Sequence, residues 1–289
     1  PAIAGTAFDV NAAAPALPSA LPPARAARAG VIFSANRATV LTPAQAVICL
    51  DNTDRATAAA EECAALLPQG MFWFDGNSCS PGAKRRAAQV IEAAGGRYVD
   101  MAIMAPVYPK RHQTPLLIAG PHAETAAALL AGLGMNATVT GDQVGDASSI
   151  KMMRSVMIKG MEALTAECLL AARRAGVDGS VLASLIASNP EIDWPVQAAY
   201  NLERMMVHGR RRAAEMREVA ATLAELGLPN GLAAATADWQ QQIGDLDLDP
   251  GALFADHRRR DHHAEFLRAA WHPPAVLLGG TGRRGARRI

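Results

Sequence analysis

Apolar and polar positions follow two regimes along this chain. Up to about residue 104, short apolar runs stand between polar, turn-rich segments. Thr6-Ala7-Phe8 ends in Asp9, Val31-Ile32-Phe33 is brief, Ala46–Leu50 and Met71–Asp75 are nearly unbroken, and Arg97–Met104 follows. Apolar runs of this length predict strands buried on both faces. Pro43 to Ala46 predicts a turn of helix. DNTDRATAAAEECAALLPQG and GNSCSPGAKRRAAQVIEAAGG each read as loop, helix and stop. Strand, loop and helix alternating at this spacing predict βαβ units, hence a parallel sheet with helices on both faces.

Beyond Thr140 every strong segment is helical. From Gly145 to Gly176, Ile150, Met153, Met157, Met161, Leu164 and Cys168 recur at three- and four-residue steps, the period of an amphipathic helix. Asp146, Ser148 and Ser149 offer cap oxygens at its start, and Gly176 is placed to stop it. Gly179–Ala187 and Trp194–Leu226 read as further helices, the second with a candidate break at His208-Gly209 and a stop at Pro229. The expected organisation is an α/β domain over residues 1–142 and an all-α domain over 143–289. The basic, Gly-rich end TGRRGARRI carries no core pattern.

Charge and composition narrow the function. Across 289 residues the formal net charge is +1, so the overall balance gives no reason to expect nucleic acid. No apolar run reaches the roughly 18–20 residues of a membrane span, and the start lacks a signal-peptide pattern. Cys49, Cys63, Cys79 and Cys168 show no CxxC spacing and read as small, buried, reduced residues of a cytoplasmic protein. Asp256–Phe266 is rich in His and Arg. Its interleaved arginines argue for a solvated helix, so no metal site is expected. Arg210–Arg212, followed by Glu215 and Glu218, reads as a salt-bridged helix face.

Candidate chemistry gathers at strand ends and on the first long helix. Ligands of an open parallel sheet bind beyond the carboxyl ends of its strands. Three such ends are polar here: Asp9-Val10-Asn11, Asp51-Asn52-Thr53 and Asp75-Gly76-Asn77-Ser78. An acid such as Asp9 suits the two ribose hydroxyls of a dinucleotide. On the helix, Lys151, Ser155 and Lys159 fall at steps of four, roughly on one stripe.

Taken together, DGNSCSP, DMAIMAPVYP, TPLLIAGP, VGDASSIKMMRS and HGRRRAAEMREVAATLAELGLP have the order and spacing of a known family. The chain resembles the 6-phosphogluconate dehydrogenase-like, or β-hydroxyacid dehydrogenase, superfamily. Within it, the chain is most similar to a branch of NAD(P)-dependent oxidoreductases with a C-terminal helical domain of unknown function. The resemblance implies a Rossmann-type domain followed by an all-α domain, and it reaches to about Leu248. It makes Lys151 the catalytic lysine. The superfamily's G-x-G-x-x-x-K-x-x-N-N pattern is met by Gly145, Ala147, Lys151, Arg154 and Ser155, so the lysine is kept while the second glycine and both asparagines are not. The D-x-S-T-x-S-P loop near the nicotinamide matches Asp75, Asn77, Ser78, Ser80 and Pro81. The D-A-P-V-S-G-G substrate loop matches Met104, Ala105, Pro106, Val107, Tyr108, Pro109 and Lys110. A later Lys-Asp pair falls on Ala214 and Glu215, with Arg211 and Arg212 as stand-ins for its lysine. The superfamily opens with a strand and a Gly-rich phosphate loop. This sequence begins at about the second strand and reads as the ordered part of a longer chain.

The expected function is therefore hydride transfer between NAD or NADP and a small hydroxy acid, with Lys151 as general acid/base. Ser155, Lys159, Pro106, Val107 and Tyr108 are expected to hold the substrate. Asp9, Asp51, Asn52, Asn77 and Ser78 are expected to hold the cofactor. Asp9 favours NAD over NADP. The change from Ser-Gly-Gly to Tyr-Pro-Lys implies a substrate other than 3-hydroxyisobutyrate or tartronate semialdehyde. Two alternatives stand beside this reading: an imine reductase of the same architecture, whose members commonly replace the lysine, and a non-catalytic dimeric remnant without the phosphate loop. A homodimer built on the helical domain is expected, because Met152, Met153, Val156, Met157, Ile158 and Met161 make the long helix apolar on several sides.

Overall fold

The computed structural model describes residues 5–7, 31–34, 36–51 and 53–248. The chain divides into two compact units, Pro1–Arg154 with Ala221–Pro229, and Ser155–Ala220 with Asn230–Ile289.

In the first unit, β1 (Gly5–Ala7) and β2 (Val31–Phe33) pair in parallel. A separate sheet holds β3 (Ala46–Cys49), β4 (Phe72–Asp75), β5 (Arg97–Ile103), β6 (Leu116–Ala119) and β7 (Ala137–Gly141), in that spatial order. The helices of this unit include α1 (Arg37–Leu41), α2 (Ala56–Ala64), α3 (Pro81–Ala93) and α4 (Ala123–Gly132). The short helix lies upstream of the expected Pro43–Ala46 turn, because the Asn36 side chain accepts from Ala38 N–H at 2.9 Å and starts it there. Helices do cover both faces of the sheet. Trp73 and Tyr98 pack against Ala60, Cys63, Ala87 and Ile91 of α2 and α3. Phe72, Phe74, Val99 and Met101 point the other way, onto Ala123, Ala126 and Leu130 of α4. Both sides are apolar, which explains the unbroken runs in the sequence.

The strands read from the alternation, β3, β4 and β5, are parallel as expected, but the sheet does not stay parallel beyond them. β6 runs antiparallel to β5, with Asp100 opposite Ala119, and β7 is parallel to β6. The physical reason lies in the connection from Met104 to Pro115. It holds one 3₁₀ turn, Arg111–Gln113, and no crossover helix, so the chain reverses directly.

The long helix α5 (Asp146–Arg174) appears as expected, and so do α6 (Asp178–Ser188) and α7 (Trp194–Glu225); a further helix not named among the expected ones, α8 (Gly231–Asp245), follows the Pro229 stop. Gly176 adopts a positive φ of 72°, and Val177 N–H reaches back to Ala172 C=O at 2.9 Å, a glycine stop of the Schellman kind. α7 is unbroken at His208-Gly209. The glycine there serves close packing instead: a Cβ on Gly209 would meet Gly244 Cα at 2.8 Å and also the Gln240 carbonyl oxygen. The second unit's core joins Ala166 and Leu169 of α5, Leu202, Met205 and Met206 of α7, and Ile243 of α8.

The polarity of α5 is the reverse of what its periodicity suggests. Within the second unit, Met157 (64 % exposed), Met161 and Leu164 face outward, as does Cys168. The inward face carries Ser155, Lys159 and Glu162, together with Ala163, Ala166 and Leu169. Cys168 thus departs from the buried reading, while Cys63 and Cys79 conform to it. The inward polar groups have partners on the other helices, described below, and that permits their burial.

Candidate active site

At the carboxyl edge of the first unit, the loops after β3 and β4 meet. Asp51 N–H donates to Asn77 Oδ1 at 2.6 Å, and Asn77 N–H donates to Asp75 Oδ1 at 3.0 Å. Asn77 is buried and Ser78 half-buried beside it. Gly76 sits between close walls, since a Cβ there would come within 2.6 Å of Leu50 Cδ2 and 2.9 Å of Met101 Cε. Burial and the neighbouring Asp75 push the Cys49 thiol up to about 12, while an Asn77 hydrogen bond works against them, so the thiolate form is disfavoured. Asp9 and Asn52 lie outside the described residues, as does Asp256–Phe266. Pro106, Val107 and Tyr108 are exposed on the loop between β5 and β6.

Beneath that edge is a buried ionic cluster that sequence reasoning missed. Lys84 of α3 is fully buried, with its Nζ 3.2 Å from Asp75 Oδ1 and 3.4 Å from Asp100 Oδ1. It also donates to the Asp75 carbonyl at 2.5 Å. The two acids are register neighbours on β4 and β5. Burial by itself would depress the Lys84 ammonium, but Asp75 and Asp100 together hold it above its ordinary value. Tyr98 donates its O–H to Asp75 Oδ2 at 2.6 Å; burial and the nearby Asp75 raise its phenol well above the usual range, so it stays a donor. One signal was available: Lys84 lies three, four and seven residues before Ala87, Ala88 and Ile91, on the inward stripe of α3. A lysine there needs an acid opposite it.

The cluster reaches the start of α5. Asp100 Oδ2 accepts from Gly145 N–H at 3.1 Å and Ser148 N–H at 2.9 Å. The cap oxygens expected from Asp146, Ser148 and Ser149 do not make these bonds. The Ser148 hydroxyl donates to Gly145 C=O at 3.1 Å, and the Asp146 carboxylate accepts from Gln143 N–H at 3.3 Å. The first turn is held instead by an acid 45 residues upstream of Gly145. Lys151, half-buried, follows Ser148 by one turn.

Farther along α5, in the second unit, Ser155 and Lys159 are buried. Lys159 Nζ donates to Ser155 Oγ at 3.3 Å and pairs with Glu215 Oε2 at 2.6 Å. The acid position of the expected Lys-Asp pair therefore does hold an ammonium, supplied by α5 rather than by residue 214. Burial pushes the Lys159 ammonium below the ordinary lysine value, and Arg212 and Arg211 push the same way, against the pull of Glu215. Arg211 pairs with Glu215, while Arg212 turns inward and grips Glu162 with two bonds, one of 2.9 Å from Nε. Gln240 adds a bond of 2.7 Å to the same carboxylate. Of the arginine run, Arg210 and Arg211 keep the salt-bridged surface role, Arg211 with Glu215 and Arg210 with Asp245 at 2.8 Å, and only Arg212 is buried.

A domain family of unknown function, DUF1932, matches residues 172–243. A conserved hypothetical protein from Sinorhizobium meliloti 1021 is 35 % identical over 91 % of this chain and 87 % of its own, with a TM-score of 0.66. The conserved protein MTH1747, described as structurally similar to 3-hydroxyacid dehydrogenases, is 32 % identical over 77 % of this chain and 83 % of its own, with a TM-score of 0.59. This chain belongs to the β-hydroxyacid dehydrogenase superfamily. A superfamily member that shares the fold at 15 % identity is the Mycobacterium tuberculosis 3-hydroxyisobutyrate dehydrogenase with L-serine, covering 91 % of this chain and 89 % of its own at a TM-score of 0.59. No curated protein matches the chain. Among the described residues no helix is long and apolar enough to cross a membrane.

Proposed function

We propose that the protein is an NAD(P)-dependent oxidoreductase acting on a small hydroxy acid, with Lys151 as the general acid/base. The observation that carries this reading is a lysine in the second turn of α5, the position at which the resemblance puts the catalytic lysine. The carboxyl edge is where a dinucleotide would bind in this reading, with Asp51 and Asn77, joined by a hydrogen bond beyond parallel strands, among the residues that would hold it. Bound there, a nicotinamide supplies the hydride acceptor or donor. Lys151 takes the hydroxyl proton in oxidation and returns it to the carbonyl oxygen in reduction. Ser155, whose oxygen accepts from Lys159, keeps its expected role as a substrate-binding hydroxyl in this reading. Lys159 is engaged with Glu215, so it orients Ser155 rather than meeting the substrate as a bare cation.

The preference for NAD rested on Asp9 and finds no support in the comparisons, so the cofactor is NAD or NADP. The test is NAD(P)H formation with each cofactor over a panel of 2- and 3-hydroxy acids, alongside NADH and NADPH binding by fluorescence. We expect binding of at least one cofactor and turnover of one acid other than 3-hydroxyisobutyrate. Failure of both cofactors to bind would overturn the reading.

The second unit is read as the seat of a homodimer. Met157, Met161 and Leu164 form an outward apolar line on α5, and Leu164 is 57 % exposed. A second copy of that face is the natural cover. Sedimentation equilibrium should give a dimer at micromolar concentration. Leu164→Glu should weaken it at least tenfold, about 1.4 kcal/mol. A wild-type monomer across that range refutes the dimer.

A further inference from the structure

The buried cluster under the sheet edge has a consequence for Lys151, and it rests on the catalytic reading above. We propose that Asp100 is a positioning residue for Lys151: its carboxylate, held by Lys84, sets the first turn of α5 and thereby where the Lys151 amine stands.

Three observations carry this. First, the cap is not local. The backbone donors of Gly145 and Ser148 both end on one oxygen of Asp100, and the helix's own first-turn side chains are turned to other tasks. Second, Asp100 is itself fixed. It is fully buried in the middle of β5, and Lys84 approaches its other oxygen at 3.4 Å. Among the described residues that oxygen has no hydrogen bond and is met by Lys84 through charge alone, so burial within β5 and this ion pair keep the carboxylate in place for the helix to dock on. Third, the same ammonium grips Asp75, whose carboxylate holds Asn77, whose side chain holds Asp51. The loops assigned to the cofactor and the helix start carrying the proton-transfer group are thus braced on one buried charge. A displacement of about 1 Å between reacting groups is enough to cost a large factor in rate, so a brace of this kind bears on turnover as well as on stability.

The chain has four lysines, Lys84, Lys110, Lys151 and Lys159, which makes a direct test clean. Lys84 and Lys159 are buried and Lys110 is exposed on a loop. A brief pulse of an amine-acylating reagent, read by peptide mass spectrometry, therefore reports Lys151 with Lys110 as internal standard. Asp100→Ala should raise the Lys151 to Lys110 labelling ratio at least about threefold as the first turn loosens. Asp100→Asn keeps an acceptor oxygen and should recover most of the wild-type ratio. An unchanged ratio in a folded Asp100→Ala variant overturns the proposal. If that variant does not fold, amide hydrogen exchange on the wild type decides: Gly145 and Ser148 should exchange slowly, and exchange at loop rates overturns it. Turnover separates this inference from the reading beneath it. Asp100→Ala should lower kcat about tenfold when Lys151 is present, and should lower it no further in a Lys151→Ala background. Turnover that survives Lys151→Ala defeats the catalytic reading alone, whereas a normal kcat in Asp100→Ala defeats the positioning role.

Discussion

Lys151→Ala is expected to lower kcat by about 10²–10⁴, the usual worth of a placed general acid or base, with little change in the affinity for cofactor. The side chain is half-buried on the second turn of a helix whose start is clamped by Asp100, so its removal leaves the clamp intact. Loss of turnover should therefore come without loss of fold. The measurement is steady-state kinetics on the acid identified by the panel, with a melting curve on the same sample. Turnover near the wild-type value in a cleanly folded variant removes Lys151 from the mechanism. The panel outcome then decides whether any hydride chemistry remains to be explained.

Lys84→Met gives the largest expected change in stability. The substitution keeps the length of the side chain and deletes the charge that two buried acids share. Asp75 retains bonds from Tyr98 and Asn77, and Asp100 retains two backbone donors, yet both carboxylates lose their counter-ion. Breaking a buried pair from one side costs about 3–5 kcal/mol. The pH dependence has a definite sign. In the wild type the folded ammonium is held above its ordinary value, so its contribution is complete below the unfolded lysine pKa and fades only as pH rises through the folded one. The variant lacks that contribution, so its deficit should be complete at neutral pH and shrink only on the strongly alkaline side, where the wild type loses it too. Denaturation of both proteins at mildly acidic, neutral and alkaline pH checks this. Equal midpoints at neutral pH would show that the cluster contributes nothing.

Much of the first unit was legible in the residues. Buried strands such as β4 announce themselves as apolar runs, and α3 reads as the helix of its loop–helix–stop segment, which the structure starts with the Ser80 cap and Pro81. Periodicity also placed Lys151, Ser155 and Lys159 on one stripe of α5. It could not say which stripe was buried, because a period defines a face and only partners define an inside. The partners are distant: Arg212 reaches Glu162 across 50 residues and Gln240 reaches it across 78. The direction of β6 escaped for a similar reason, since a strand's own residues are the same whichever way its neighbour runs. Lys84 escaped because a lysine reads as surface unless its acid is known to stand opposite it.

Gly209 and Gly244 face each other where α7 crosses α8. A methyl on Gly244 would meet Arg210 N at 2.6 Å, and one on Gly209 would meet the backbone of the other helix. Neither obstacle is a side chain that can rotate away. The crossing therefore has no tolerant half: replacing one glycine is not eased by anything done to the other. Any side chain at either position would push the two backbones apart, so the pair can be varied only by giving up the helix contact it permits.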